Sequence, residues 1–128
     1  IKLNNKRKYD GGITDPLPVK KAYEMGARDI TIIRTYEESF IRKTKLENYI
    51  AALATRSHPE ISKAILFNNV TYNSALKFIK NPPSDCTIKQ ICPPYRLKTK
   101  RATTNHITMK ADYQMGLKAG QNFLQKLT

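Results

Sequence analysis

Few residues of this chain have the type and spacing to do chemistry. The sharpest group is Asp10-Gly11-Gly12. A carboxylate beside two residues without side chains leaves room for a substrate or a second backbone, and glycine permits turns closed to other residues. Asp15-Pro16 follows at once, which is a helix-start signal of acidic N-cap and first-turn proline. On the tripeptide alone an ordinary Asp-Gly turn is the commoner meaning. The context adds weight, because α/β folds place their chemistry at the C-terminal edge of a parallel sheet, where a helix begins. An aspartate placed there can take a proton from a nucleophile.

The other candidates are weaker. His58 and His106 stand at helix starts and read as caps or surface residues. Cys86 and Cys92 read as small strand hydrophobes, separated by about 20 Å if the residues between them are extended, too far to bridge. A scaffold of disulfides or a cluster of histidines round a metal is excluded, and no metal or organic cofactor is implied. The serines are Ser39, Ser57, Ser62, Ser74 and Ser84, and none stands in the Gly-x-Ser-x-Gly setting of a nucleophile elbow.

The 128 residues carry 40% hydrophobic and 26% charged side chains, which is the composition of one globular domain. No apolar run approaches the roughly 18 residues of a bilayer span. Ile1 opens a polar, basic stretch and no apolar leader, so a cytoplasmic protein, peripheral to membrane at most, is expected. Lys and Arg outnumber Asp and Glu by 23 to 10, a net charge of +13. From Cys86 to Ala111 there is no acid. Arg96, Lys98, Lys100 and Arg101 form the densest part of that basic stretch. A solvated loop is its plain meaning. Its functional meaning is contact with an anionic lipid surface, at about 1 kcal/mol per basic residue. Nucleic acid is the lesser alternative, since no recognised module is visible and the tyrosines do not interleave with the charges.

The elements that must position these residues alternate. Residues 1–9 read as an edge strand entering the Asp10 turn. Pro16 to Gly26 reads as a short helix with Val19, Ala22 and Tyr23 on one face. Asp29–Thr35 is β-branched and reads as a strand covered on both faces. A capping box at Thr44 and Glu47 opens a helix to about Thr55, with Leu46, Tyr49, Ile50 and Leu53 on one stripe. A second box at Ser57 and Glu60, with Pro59 in the first turn, opens a helix to Lys80. That helix turns Ile61, Ala64, Ile65, Tyr72, Ala75, Leu76 and Ile79 inward, with a kink expected at Asn68-Asn69. Pro82-Pro83 ends it. Thr87–Ile91 reads as a strand. Residues 107–127 read as a last helix, with Tyr113, Leu117, Leu124 and Leu127 on one side. Gly116 and Gly120 on that side suggest a close backbone approach. The class is α/β, with too few strands for its helices.

The stretch YDGGITDPLPVKKAYEMGARDITIIRT resembles the segment round the catalytic aspartate of patatin-like phospholipases. The shared features are the turn Asp10-Gly11-Gly12, Pro16 and Pro18, the helix end Ala22 to Gly26, and Thr35. More loosely, HPEISKAILFNNVTYNSALKFI is similar to a later helix of the family with its Tyr-Asn pair, here Tyr72-Asn73. ICPPYRLKTKR and DYQMGLKAG are similar to the tail of bacterial patatin-like esterases. The resemblance implies a C-terminal fragment of a patatin-like α/β sandwich, with a short, largely parallel sheet and four helices. Residues 1–128 would be one unit, with the Asp turn, helix and strand in 1–35 and a helical part with one strand in 36–128. It also implies a serine acyl hydrolase with a Ser–Asp dyad, acting on phospholipid or another acyl lipid. Asp10 would be the base, with Gly11 and Gly12 shaping the turn. The serine and the oxyanion hole would lie before Ile1, so this stretch alone would be inactive. A non-catalytic basic module on anionic membrane or nucleic acid is the alternative. An exposed sheet edge leans the chain toward a homodimer.

Overall fold

The computed structural model describes residues 2–3, 6–7, 9–100 and 102–127, and Arg101 lies outside them. The chain is mixed α/β. In order it forms β1 (Lys2–Leu3), β2 (Lys6–Arg7), a 3-10 turn (Gly11–Ile13), α1 (Val19–Glu24), β3 (Asp29–Ile33), α2 (Leu46–Ala54), α3 (Pro59–Lys80), β4 (Thr87–Ile91) and α4 (His106–Gln125). It divides into two compact units, Ile1–Arg28 with Ile41–Cys86, and Asp29–Phe40 with Thr87–Thr128.

The first unit is built on α3. Pro59 occupies the first turn of that helix, and the chain leaves it before Pro82. Tyr72, Ala75 and Ile79, at helical spacing, are buried with Leu17, Val19, Ala52 and Cys86. Every residue expected inward on α3 is buried or half-buried. The helix runs through Asn68-Asn69 as one continuous element. Helix α1 starts three residues later than expected, at Val19, and Asp15 does not cap it. Its end is a Schellman motif: Gly26 N donates to Tyr23 O at 2.9 Å and Ala27 N to Ala22 O at 3.1 Å. Gly26 sits at φ 101°, where a side chain would be strained.

Helix α2 corrects the sequence reading. Neither capping box forms: Lys45 and His58 hold the two N-cap positions and make no side-chain capping bond. Ala52 is buried and Asn48 and Ala51 are half-buried, whereas Leu46, Tyr49, Ile50 and Leu53 are all exposed. Small residues let α2 lie close to α3, and that contact turns its large apolar stripe the other way. Among the described residues, the stretch expected as one edge strand over 1–9 holds two short strands, β1 and β2, paired in a two-residue antiparallel ladder.

The second unit holds a parallel pair, β3 with β4, in register from Asp29 opposite Thr87 to Ile33 opposite Ile91. The crossover between them contains α2 and α3. Asp29, Thr31 and Ile33 are exposed, so β3 is not covered on both faces. Helix α4 opens at Asn105, whose side chain accepts a hydrogen bond from Thr108 N at 3.1 Å. Met115 is its buried residue and Phe123 is half-buried, while Tyr113, Leu117, Leu124 and Leu127 are exposed. A Cβ at Gly116 or Gly120 would meet nothing within 4 Å, so no close approach explains these glycines. Among the described residues no helix is long and apolar enough to cross a membrane.

Candidate functional site

The chain from Tyr9 to Thr14 presents one carboxylate, that of Asp10, on a fixed turn. Asp10 is extended, at φ −62° and ψ 127°, and its Oδ1 accepts a hydrogen bond from Gly12 N at 2.8 Å. This is an Asx turn, in which the side chain completes the backbone's bend. Ile13 N donates to Asp10 O and Thr14 N to Gly11 O, each at 3.1 Å. Asp10 is exposed, and Oδ1 is its one hydrogen-bonded carboxylate oxygen among the described residues. A Cβ on Gly12 would stand 3.3 Å from Oδ1, whereas one on Gly11 would meet nothing within 4 Å. Neither glycine takes a positive φ. Gly12 thus gives clearance to the carboxylate; left-handed backbone is not what calls for glycine at either position.

The turn is held from α3. Asn68 Nδ2 donates to Gly12 O at 2.9 Å and to Ile13 O at 2.8 Å. Asn68 Oδ1 in turn accepts from the Arg42 guanidinium. That guanidinium lies 4.2 Å over the Tyr72 ring, a cation–π contact on a buried aromatic. Asn73 clasps the backbone of Arg42, accepting from its N at 3.0 Å and donating to its O at 2.9 Å. Tyr72-Asn73 therefore fixes Arg42, Arg42 orients Asn68, and Asn68 holds the turn. Sequence reasoning did not connect Asn68 or Arg42 to the turn, because their partners lie 26 and more residues away. None of the described serines is hydrogen-bonded to Asp10. Ser62 bonds to Ala52 O and Ser74 accepts from Lys20 Nζ. His58 Nδ1 lies 2.7 Å from Ser57 O.

A second charged cluster in this unit ties α1 to the segment after α3. Arg28 Nε meets Asp85 Oδ2 at 2.7 Å, Tyr23 OH donates to Asp85 Oδ1 at 3.0 Å, and the guanidinium stacks 4.2 Å over the Tyr23 ring. The phenol's hydrogen bond, with help from Arg28, holds Asp85 below its ordinary 3.8, and the same bond pushes Tyr23 above 10.0. A lowered carboxyl contributes stability above its unfolded pKa and loses it as pH falls through the folded one. A raised phenol contributes below its unfolded pKa and loses it as pH rises through the folded one. Tyr23→Phe is expected to move the Asp85 carboxyl midpoint upward in a carbon-13 NMR titration. An unmoved midpoint would remove the phenol as the cause.

In the second unit a groove of about 1000 Å³ runs beside β4 and α4, with Gln90, Cys92, Met115, Lys118 and Phe123 among its walls. Buried Arg34 fixes one end, donating to Gln90 Oε1 at 3.0 Å and to the carbonyls of Glu37 and Glu38 at 3.3 Å each. Burial pushes the Cys92 thiol up, away from the thiolate form a nucleophile needs. Cys86 and Cys92 are both free. Arg96, Lys98 and Lys100 are exposed, as a surface contact requires, and Arg101 lies outside the described residues. Their loop is anchored by Asp112, whose carboxylate accepts from Thr99 N at 2.6 Å and is lowered chiefly by that bond. Among the described residues no three His, Cys, Asp or Glu gather as a metal site would require.

The structure thus defines an α/β chain with one carboxylate held on a braced, glycine-flanked turn. The profile described as "Domain of unknown function (DUF6363)" matches residues 58–128, and the chain belongs to that family. The matched part begins after the Asp10 turn and includes Asn68 and Tyr72. The chain is also similar to the "Uncharacterized protein YjjU" of Escherichia coli (strain K12), at 26% identity over 125 residues. That match covers 97% of this chain and 35% of that protein, so the chain spans about a third of its relative's length. No solved structure matches the chain.

Proposed function

We propose that this chain supplies the aspartate half of a serine acyl hydrolase of the patatin-like type, with Asp10 as general base. The observation that carries the reading is the Asp10 turn. One carboxylate oxygen is pinned by Gly12 N, the side chain is exposed, and Gly12 leaves the space beside it open. A base that must meet a hydroxyl on another segment needs that combination of fixed direction and free access. The α/β fold supports the reading, and so does the resemblance of residues 9–35 to the aspartate segment of that family. The brace from Asn68, Arg42, Tyr72 and Asn73 supports it too, since it holds a short turn to the unit's longest helix.

The nucleophile and the oxyanion donors belong to residues outside 1–128 in this reading. The substrate class is a carboxylic ester of phospholipid or another acyl lipid, and no cofactor takes part. The test is hydrolysis of a short-chain nitrophenyl ester and of a phospholipid. The protein that includes the region upstream of Ile1 should turn over at least one, and residues 1–128 alone should turn over neither. A longer protein inert toward every ester offered would contradict the reading.

A further inference from the structure

The least expected feature of the first unit is the outward stripe of α2. Its four large apolar side chains, Leu46, Tyr49, Ile50 and Leu53, are each between 57% and 75% exposed. They fall within about a quarter of the helix circumference at 3.6 residues per turn. The half-buried and buried Asn48, Ala51 and Ala52 fill the opposite side. Phe67 and Val70 of α3 are also more than half exposed. A shallow groove of about 530 Å³ joins the two helices, with Tyr49, Leu53, Leu66 and Phe67 in its walls and Arg56 and Lys63 beside them. Large apolar side chains gathered on one exposed helix face mark an interaction surface.

The charges round the stripe say what kind of partner it fits. Lys43 and Lys45 stand before α2, Arg56 after it, and Lys63 on the neighbouring turn of α3, all exposed. Between residues 42 and 63 there are five basic residues and two acids, Glu47 and Glu60. An apolar stripe with a tyrosine, bracketed by Lys and Arg at both ends of the helix, is the pattern of a helix lying in a membrane interface. There the aliphatic chains enter the acyl boundary and the basic groups meet anionic headgroups. A protein partner would have to supply an acidic rim round an apolar socket. An anionic bilayer supplies both at once.

We infer that the α2–α3 pair docks this protein on anionic phospholipid bilayers through Leu46, Tyr49, Ile50 and Leu53, with Lys43, Lys45, Arg56 and Lys63 at the headgroups. The inference stands on the stripe and its charges and not on the chemistry of Asp10. It also assigns membrane contact to a different element from the basic loop at 96–100.

The test is co-sedimentation of the full-length protein with vesicles of phosphatidylcholine, with and without roughly a third phosphatidylglycerol, at about 0.15 M salt. The wild type should pellet with the anionic vesicles and at least ten-fold less with neutral ones. Ile50→Glu/Leu53→Glu should weaken anionic binding at least ten-fold. Ile50→Gln/Leu53→Gln, which adds no charge, should weaken it several-fold. Asp10→Asn should bind as the wild type does, so docking and catalysis fail separately. Equal binding by the double variants, or no binding by the wild type, would overturn the inference. So would a double variant that loses helical circular dichroism, because the stripe is then covered by the protein's own chain. A double variant that shifts a vesicle-free dimer to monomer would overturn it in favour of a second copy.

Discussion

Asp10→Asn in the full-length protein is expected to lower ester hydrolysis about 1000-fold, the middle of the range for a lost general base. That is about 4 kcal/mol of transition-state stabilisation. The amide has the carboxylate's shape but cannot take the nucleophile's proton. It should also leave the turn standing. The asparagine oxygen can still accept from Gly12 N, and asparagine forms Asx turns as readily as aspartate. The loss should therefore fall on the rate, with the thermal midpoint within a degree or two of wild type. A variant within a few-fold of wild-type activity would remove Asp10 from the mechanism. Gly12→Ala is the useful companion, since its Cβ would crowd the carboxylate, whereas Gly11→Ala meets open space.

Tyr72→Ala is expected to cost about 3–5 kcal/mol of stability, the usual loss for a buried aromatic cut to alanine. Tyr72 is 3% exposed and lies under the Arg42 guanidinium. Removing the ring opens a cavity and takes away the face that positions Arg42. Domains of this size are stable by about 5–15 kcal/mol, so the change consumes much of the margin. Urea unfolding should show a lower midpoint with an unchanged slope. Tyr72→Phe keeps the ring and should cost far less. Because Arg42 orients Asn68, and Asn68 holds the Asp10 turn, Tyr72→Ala should also loosen the site in whatever fraction stays folded. Asn68→Ala separates the two effects, since it releases the turn without opening the core.

The legible parts of this fold are those set by local chemistry. Helix α3 is readable because Pro59 opens it and Pro82-Pro83 closes it, and β4 is bounded by residues just as plain. Gly26 reads correctly because a Schellman ending is a local event. The capping boxes at Thr44 and Ser57 misled. Those residues have the right spacing, but each helix starts one position later, where Lys45 and His58 bring no side-chain capping bond. The stripes on α2 and α4 were legible as stripes. Which way they face was not, because small residues on α2 and Met115 on α4 take the inner positions. The Asp10 turn was visible as a motif, but its brace was not. Asn68 looked like a helix kink because its bonds to Gly12 and Ile13 span 56 and 55 residues. That the glycines leave room beside Asp10 was legible, but not that Gly12 alone borders the carboxylate, because that depends on the side chain's direction in the turn.

One measurement tests the dyad most directly: mass-spectrometric mapping of the full-length protein after reaction with a serine-directed fluorophosphonate. The expected result is a single adduct on a serine upstream of Ile1, formed much more slowly in the Asp10→Asn variant. An adduct on Ser39, Ser57, Ser62, Ser74 or Ser84, labelling indifferent to Asp10→Asn, or no adduct would contradict a nucleophile activated by Asp10.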